Sequence, residues 1–215
     1  MFGWLGDTMS QALLFLYGLV HNYGLAIIIF TLIIKFLLYP LTAKQTRSMK
    51  AMQDLQPQME SIKKKYKDNK EKQQEEMMKL YKANNVNPAA GCFPMVLQLL
   101  ILIPLYRSIL GLGETMADST FLWIGTLTSG SLATPDIAIV ILNALAMIAQ
   151  TYITQKTSAS SQNNMVMWIM PIFIVFIGFQ LPSGVLLYWL TSTLFTGVQQ
   201  FLLSREPAVK GATEK

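Results

Sequence analysis

A lysine lies inside the first long apolar segment of the chain. Lys35 follows Ile33-Ile34 and precedes Phe36-Leu37-Leu38-Tyr39, and no acidic residue of the same segment is near enough to neutralise it. A lysine at the centre of a membrane span costs about 2.5–3.5 kcal/mol on insertion scales. Two interpretations are open: the lysine reaches the lipid headgroups from one end of a span, or it is a cation in a hydrated interior.

Polar side chains in other apolar segments favour the hydrated interior. Thr31 lies one helical turn before Lys35, and Asn143 and Gln150 are seven residues apart, so each pair shares one helix face. Single polar residues in membrane helices usually bind helices together. Several of them beside an unpaired cation indicate water, so we predict a groove open to the cytoplasm with Lys35 as its charge. Further polar residues of these segments are Gln98, Tyr188 and Thr191.

The composition indicates that lipid surrounds these segments. Hydrophobic residues make up 52% of the 215 positions and charged residues only 13%, against about 25% charged residues in a typical soluble domain. The apolar residues form runs near the length that crosses a bilayer. We predict an all-α, polytopic membrane protein with five transmembrane helices, at 23–41, 91–111, 135–154, 165–181 and 185–203. Residues 1–22 fit an interfacial helix, although residues 12–34 can also be taken as one longer span.

The one long polar segment, residues 42–90, predicts a helical hairpin. Apolar residues recur there at three- and four-residue intervals, Asp68-Asn69 is a plausible turn, and Pro57 marks a kink or a helix restart. Met49, Met52 and Met59 either form the seam between two helices or offer an adaptable surface to apolar client segments.

The basic residues predict the orientation. If the hairpin is cytoplasmic, all 17 Lys and Arg residues except Lys35 and Arg107 lie on the cytoplasmic side, which places the N-terminus outside and the C-terminus inside. The remaining connections are then an external loop at 112–134, a cytoplasmic loop at 155–164, an external turn at 182–184 and a cytoplasmic tail at 204–215. This topology explains the net charge of +5 better than nucleic-acid binding does. The first 34 residues lack Lys and Arg, so no signal peptide is expected.

Enzyme signatures are missing from the sequence. It contains no H-E-x-x-H, no G-x-S-x-G, no glycine-rich phosphate loop and no metal-ligand cluster. The single histidine, His21, has no base or ligand partner in view, and the single cysteine, Cys92, cannot form an internal disulfide. We therefore expect no catalysis, no cofactor and no metal.

Several motifs resemble the YidC family of membrane protein insertases. They are Tyr23-Gly24-Leu25-Ala26-Ile27-Ile28 with Lys35 and Tyr39-Pro40-Leu41-Thr42, Leu55-Gln56-Pro57, Asn87-Pro88-Ala89-Ala90-Gly91-Cys92-Phe93-Pro94 with Gln98, Phe121-Leu122-Trp123-Ile124, and Pro182-Ser183-Gly184-Val185-Leu186-Leu187-Tyr188-Trp189. The resemblance covers nearly the whole chain and implies a five-helix core with a lipid-open hydrophilic groove and a cytoplasmic hairpin. It also implies that Thr31, Gln98, Gln150, Tyr188 and Trp189 are groove or substrate-contact residues.

The resemblance also implies function and location. A family member inserts nascent membrane proteins in the bacterial cytoplasmic (inner) membrane, with lipid around it and the Sec translocon and ribosome as candidate partners. Lys35 stands where the family usually has Arg, so it offers a point charge without a planar fork. Residues after Leu203 carry three basic groups and two acids, so ribosome docking through the tail is not expected.

Three other functions remain open. A small transporter or channel is the first, although the odd number of spans, the absence of a repeat and the lack of acids deep in the spans speak against it. An intramembrane enzyme is the second. A chaperone that acts only beside the Sec translocon is the third.

Overall fold

The predicted all-α class is confirmed. The computed structural model describes residues 3–84, 86–87, 93–124, 130–157, 172 and 175–204. Within these ranges the helices are α1 (Gly3–Val20), α2 (Tyr23–Asp54), α3 (Gln56–Lys65), α4 (Lys70–Ala83), α5 (Phe93–Gly111), α6 (Gly113–Met116), α7 (Ile137–Thr157) and α8 (Ser183–Ser204). Residues 175–178 are also helical. Most of the predicted span 165–181, the loop residues from 158 onward and the tail after 204 lie outside the described residues.

A tight turn separates α1 from α2. His21 has a φ of 52°, in the left-handed region that ends an α-helix. The Asn22 side chain then caps α2 by accepting a hydrogen bond from Leu25 N at 3.0 Å, and the Tyr17 and Tyr23 rings stack across the turn at 4.0 Å. The alternative of one span over residues 12–34 is therefore wrong.

The helix that contains the first predicted span is longer than that span. α2 continues without a break through Pro40, past residue 41, to Asp54. Polarity changes near Leu41, but the following residues are good helix formers, so the backbone has no local reason to turn there. Pro57 lies in the first turn of α3, a position where a missing N–H costs nothing, so the helix restarts at this proline.

Helices α3 and α4 form a helical hairpin within the predicted hairpin segment 42–90, whose first residues belong to α2. The turn between them includes Asp68-Asn69, as the sequence indicates, and the Asn69 side chain accepts a hydrogen bond from Lys72 N at 3.0 Å to cap α4. Tyr81 on α4 donates a hydrogen bond to the Met59 sulfur on α3 at 3.6 Å. This contact fastens the two helices to each other.

Helix α8 lies at the centre of the helix packing. It packs against α2, α7 and α5, and α1 packs against α2 and α5. Loop carbonyls satisfy the first N–H groups of α8: Ser183 N donates to Thr134 O at 2.9 Å, and Gly184 N donates to Leu132 O at 2.8 Å. This end of α8 is therefore anchored to the loop that precedes α7.

The outer surface of the long helices is apolar, and the largely apolar interior contains several polar side chains. Large apolar side chains are exposed along the long helices, with Phe36 65% and Leu37 73% exposed on α2, while Thr31 and Asn143 are fully buried. Extended exposed apolar surface is rare on soluble monomers and suits lipid. By length and hydropathy, Tyr23–Met52 qualifies as a membrane span among the described residues, and Val96–Gly111 and Ile137–Tyr152 are shorter apolar helices. The number of spans stays a prediction.

Candidate functional site

The ammonium group of Lys35 points from α2 toward α8. Lys35 Nζ donates a hydrogen bond to Thr196 Oγ1 at 3.2 Å, and the lysine side chain is partly buried. Within the described ranges, no carboxylate forms an ion pair with Lys35. Among the described residues, the amine is therefore held by a neutral hydroxyl and has no carboxylate as an ion-pair partner.

The face of α2 that carries Lys35 is the face that packs on α8. Ile27 and Thr31, which precede Lys35 at four-residue intervals, are both fully buried, and the Thr31 hydroxyl donates to Ile27 O at 2.6 Å. Further along the same face, Gln199 Nε2 on α8 donates to Thr42 Oγ1 at 2.9 Å. Helical spacing thus brings Thr31, Lys35 and Thr42 to one seam between α2 and α8.

Helix α8 presents a matching line of polar side chains, which we call the polar stripe: Tyr188, Ser192, Thr196 and Gln199. The spacing of three and four residues places them on one helix face, and Tyr188, Ser192 and Gln199 are at most 4% exposed. Ser192 Oγ donates to Gln98 Oε1 on α5 at 3.4 Å. The polar stripe therefore meets polar groups of α2 and α5 in the interior of the helix bundle.

The structure brings together four of the residues singled out from the sequence and keeps others apart. Lys35, Gln98 and Tyr188 lie along the polar stripe, with Thr31 one turn from Lys35. Asn143 instead lies in the interface of α7 with α8, where its Nδ2 donates to Ile139 O at 2.9 Å and to Leu186 O at 3.0 Å. Its amide binds two helices together, as isolated polar residues of membrane helices usually do.

The other predicted contact residues lie outside this line. The Thr191 hydroxyl donates a hydrogen bond to Leu187 O at 2.8 Å, so its proton is used within α8. Trp189 on α8 and Gln150 on α7 are partly buried. Their role as substrate contacts stays a prediction.

The three methionines divide between two places. Met59 lies in the hairpin seam, where its sulfur accepts the hydrogen bond from Tyr81, and burial raises the pKa of the Tyr81 phenol. Met49 and Met52 lie on the part of α2 beyond the predicted span, and both are partly buried. For Met59 the seam interpretation describes the structure, and contact with clients stays a prediction for all three.

Sequence reasoning missed Thr42, Thr196 and Gln199. Each is a small or neutral polar residue near the end of an apolar segment, where such residues need no explanation of their own. The signal that reveals two of them is the spacing: Thr196 and Gln199 continue the line that begins with Tyr188 and Ser192.

Fold and site together define a membrane-embedded helical protein with a polar seam among its helices. The chain matches the family described as 60Kd inner membrane protein over residues 15–210. It is 41% identical to a membrane protein insertase YidC of Fusobacterium nucleatum, over 88% of this chain and 89% of that protein. It is also 39% identical to one of Clostridium perfringens, over 93% and 86% of the two chains. The chain therefore belongs to the YidC family of membrane protein insertases.

The solved structures include a protein of the same fold. The crystal structure titled "Active YidC insertase crystal structure with the first transmembrane domain resolved" superposes with a TM-score of 0.74 at 34% sequence identity, over 92% of this chain and 46% of that chain. Some relatives are much longer: the chain spans 37% of the Syntrophus aciditrophicus insertase, to which it is 38% identical. The similarity thus covers nearly all of this chain and less than half of the longer proteins.

Proposed function

We propose that this chain is a membrane protein insertase and chaperone that takes nascent membrane proteins from the cytoplasm into the lipid bilayer. The observation that carries the proposal is the Lys35 ammonium, hydrogen-bonded to Thr196 inside a bundle whose outer surface is apolar. A cation in this position attracts an acidic segment. Membership of the YidC family supports the same function.

The seam supplies a place for the hydrophilic tail of a client. Two unit charges about 4 Å apart attract by about 4 kcal/mol at an effective dielectric constant near 20, which offsets part of the cost of moving a short acidic tail away from bulk water. Apart from Thr196, which holds Lys35, the polar stripe of α8 offers hydrogen bonds to the rest of the tail, with Gln98 and Thr42 beside it. The tail then crosses a shorter distance through hydrocarbon.

The apolar segment of the client follows the outer surface. Exposed apolar side chains line α7 and α8, among them Ile141, Leu145, Leu194 and Val198. A client helix that slides along them passes into lipid, and removal of its apolar surface from water drives the reaction. Because the free energy comes from burial, the mechanism needs no nucleotide, no cofactor and no chemical step.

The proposed setting is the bacterial cytoplasmic (inner) membrane, with the N-terminus outside and the C-terminus in the cytoplasm. The distribution of Lys and Arg supports this orientation, which directs the α3–α4 hairpin and the cytoplasmic end of the seam toward arriving clients. Nascent membrane proteins and lipid are the partners in every case. The Sec translocon and the ribosome are candidate partners, and insertion proceeds with or without the translocon.

Insertion by the purified protein in liposomes tests the proposal. The clients are two single-span proteins that differ only in the charge of a short translocated tail, acidic or neutral. We expect Lys35→Ala and Lys35→Glu to lower insertion of the acidic client by about tenfold or more, equivalent to about 1.4 kcal/mol, and Lys35→Arg to retain it. Lys79→Ala, which removes an exposed lysine of the hairpin, is the matched control and should insert both clients normally.

Two outcomes contradict the proposal at different levels. Equal insertion of the acidic client by all Lys35 variants removes the charge from the mechanism. No insertion by the wild-type protein alone, with recovery when the translocon is added, favours a chaperone that acts beside the translocon.

A further inference from the structure

The hydroxyl of Thr196 has both of its hydrogen-bonding capacities in use. Thr196 Oγ1 donates its proton to Ser192 O at 2.8 Å and accepts a hydrogen bond from Lys35 Nζ at 3.2 Å. A hydroxyl has one proton and two lone pairs. Because the backbone carbonyl of the preceding turn takes the proton, a lone pair is left for the ammonium group.

This arrangement restrains a side chain that is otherwise mobile. Lysine has four rotatable methylene groups and loses rotamer freedom whenever its ammonium is held in one place. Thr196 is rigid by comparison, since it is β-branched and its hydroxyl is fixed by the bond to Ser192 O. The nearby bond of Gln199 to Thr42 links α8 to α2 a further turn along the seam, so the acceptor stays in register with Lys35.

We propose that Thr196 is a positioning residue that holds the Lys35 ammonium against α8 and so fixes where the positive charge of the groove lies. The proposal rests on the insertase function proposed above and adds to it a residue that does not itself bind the client. The hydroxyl oxygen of Thr196, which accepts the hydrogen bond from Lys35, positions the amine, and the size of the side chain does not. Thr196→Ser should therefore keep the Lys35 ammonium in place, and Thr196→Val, which has the same shape without the hydroxyl, should not.

Chemical labelling of the Lys35 amine tests the placement independently of insertion. Wild type, Thr196→Val and Thr196→Ser in liposomes are treated briefly with a water-soluble amine reagent, and modification of Lys35 is quantified by mass spectrometry. A charge-assisted hydrogen bond restrains the ammonium, so its loss should raise labelling by about threefold or more in Thr196→Val. Thr196→Ser should resemble wild type. Equal labelling of all three proteins would overturn the proposal whether or not the chain inserts clients.

Insertion of the acidic-tail client tests the functional consequence by a double-mutant cycle. Thr196→Val should lower insertion by about fivefold in the Lys35 protein and leave it unchanged in the Lys35→Ala protein, because a residue that acts through Lys35 has no effect once the amine is gone. Equal losses in both backgrounds would show a structural role in α8 and contradict the proposal. If Lys35→Ala itself inserts the client normally, the charge mechanism of the proposed function fails, and the labelling result alone then decides whether Thr196 positions the Lys35 amine.

Discussion

Asn143 is a fully buried polar residue. Its replacement distinguishes two interpretations: that it packs α7 against α8, or that it belongs to the hydrated groove. It was predicted as a groove residue, yet its side chain amide donates to Ile139 O and across the helix interface to Leu186 O. Its Oδ1 atom is buried and accepts no hydrogen bond from the described part of the protein. Leucine has the same branching at the γ position, so Asn143→Leu fills the site without polar atoms, whereas Asn143→Ala leaves it partly empty.

The two variants should change the free energy of unfolding by different amounts. Interhelical side-chain hydrogen bonds in membrane proteins contribute about 0.6 kcal/mol on average, with a maximum near 1.7. A buried acceptor without a partner costs about 1–3 kcal/mol, and Asn143→Leu removes both effects together. Asn143→Ala also loses the packing of a fully buried side chain, which costs about 2 kcal/mol by analogy with large-to-small substitutions.

Thermal unfolding in lipid bicelles, followed by tryptophan fluorescence, distinguishes these expectations. For a chain of this length about 2 kcal/mol corresponds to roughly 4–8 °C in Tm, so Asn143→Ala should melt that much lower. Asn143→Leu should stay within about 4 °C of wild type. A larger loss for leucine than for alanine refutes the reasoning, because it means that Oδ1 has a polar partner and that Asn143 belongs to the hydrated groove.

Two further predictions concern the loop and the hairpin. A Cβ atom on Gly24 would clash with the Phe121 ring, so Gly24→Ala should lower Tm by several degrees. In a Phe121→Ala background, Gly24→Ala should leave Tm nearly unchanged. An equal fall of Tm in that background would contradict the contact. In α4, Lys79 lies 2.8 Å from Glu75 and lowers the pKa of that carboxyl, chiefly through their hydrogen bond. A lowered folded-state pKa stabilises the helix above the ordinary pKa of Glu75, and this stabilisation is lost as the pH falls through the lowered value. Lys79→Gln should therefore return the Glu75 pKa, measured by NMR on the labelled carboxyl, toward its ordinary value.

The local breaks of the chain were predictable because short-range chemistry determines them. Asn22 and Asn69 cap the helices that follow them, and Pro57 starts a helix because its ring fits the first turn. Each of these signals acts within a few residues of itself. The sequence therefore located the turn after α1 and the turn at Asp68-Asn69, and at Pro57 it left a kink and a helix restart as the two alternatives.

The end of α2 could not be predicted in the same way. The predicted boundary at residue 41 rests on a change from apolar to polar residues, which reports the surrounding solvent and not the backbone. Helix formation depends on propensity and hydrogen bonding, and both continue to Asp54. A helix that passes from lipid into water has no reason to end at the change of solvent.

The sequence indicated Lys35 by its residue type, but it did not indicate which residue is its hydrogen-bond partner. Lys35 attracts attention because a cation in an apolar segment is costly. Its hydrogen-bond partner Thr196 is 161 residues away in sequence, and nothing local in either segment relates the two. Asn143 shows the converse: a polar residue type that is typical of a groove lies in the α7–α8 interface, since only the tertiary arrangement decides which helix face meets which neighbour.

Access of water to the seam is the property on which the insertase mechanism depends, and cysteine labelling measures it directly. In a Cys92→Ser background, Lys35→Cys and Leu37→Cys each carry one thiol, on the same helix two residues apart. Leu37 is 73% exposed on the apolar outer surface, whereas Lys35 faces α8. With the protein in liposomes, a water-soluble maleimide should modify the thiol at position 35 and spare the thiol at position 37. Labelling at 37 with none at 35 would mean that the seam is dry, and it would contradict the account.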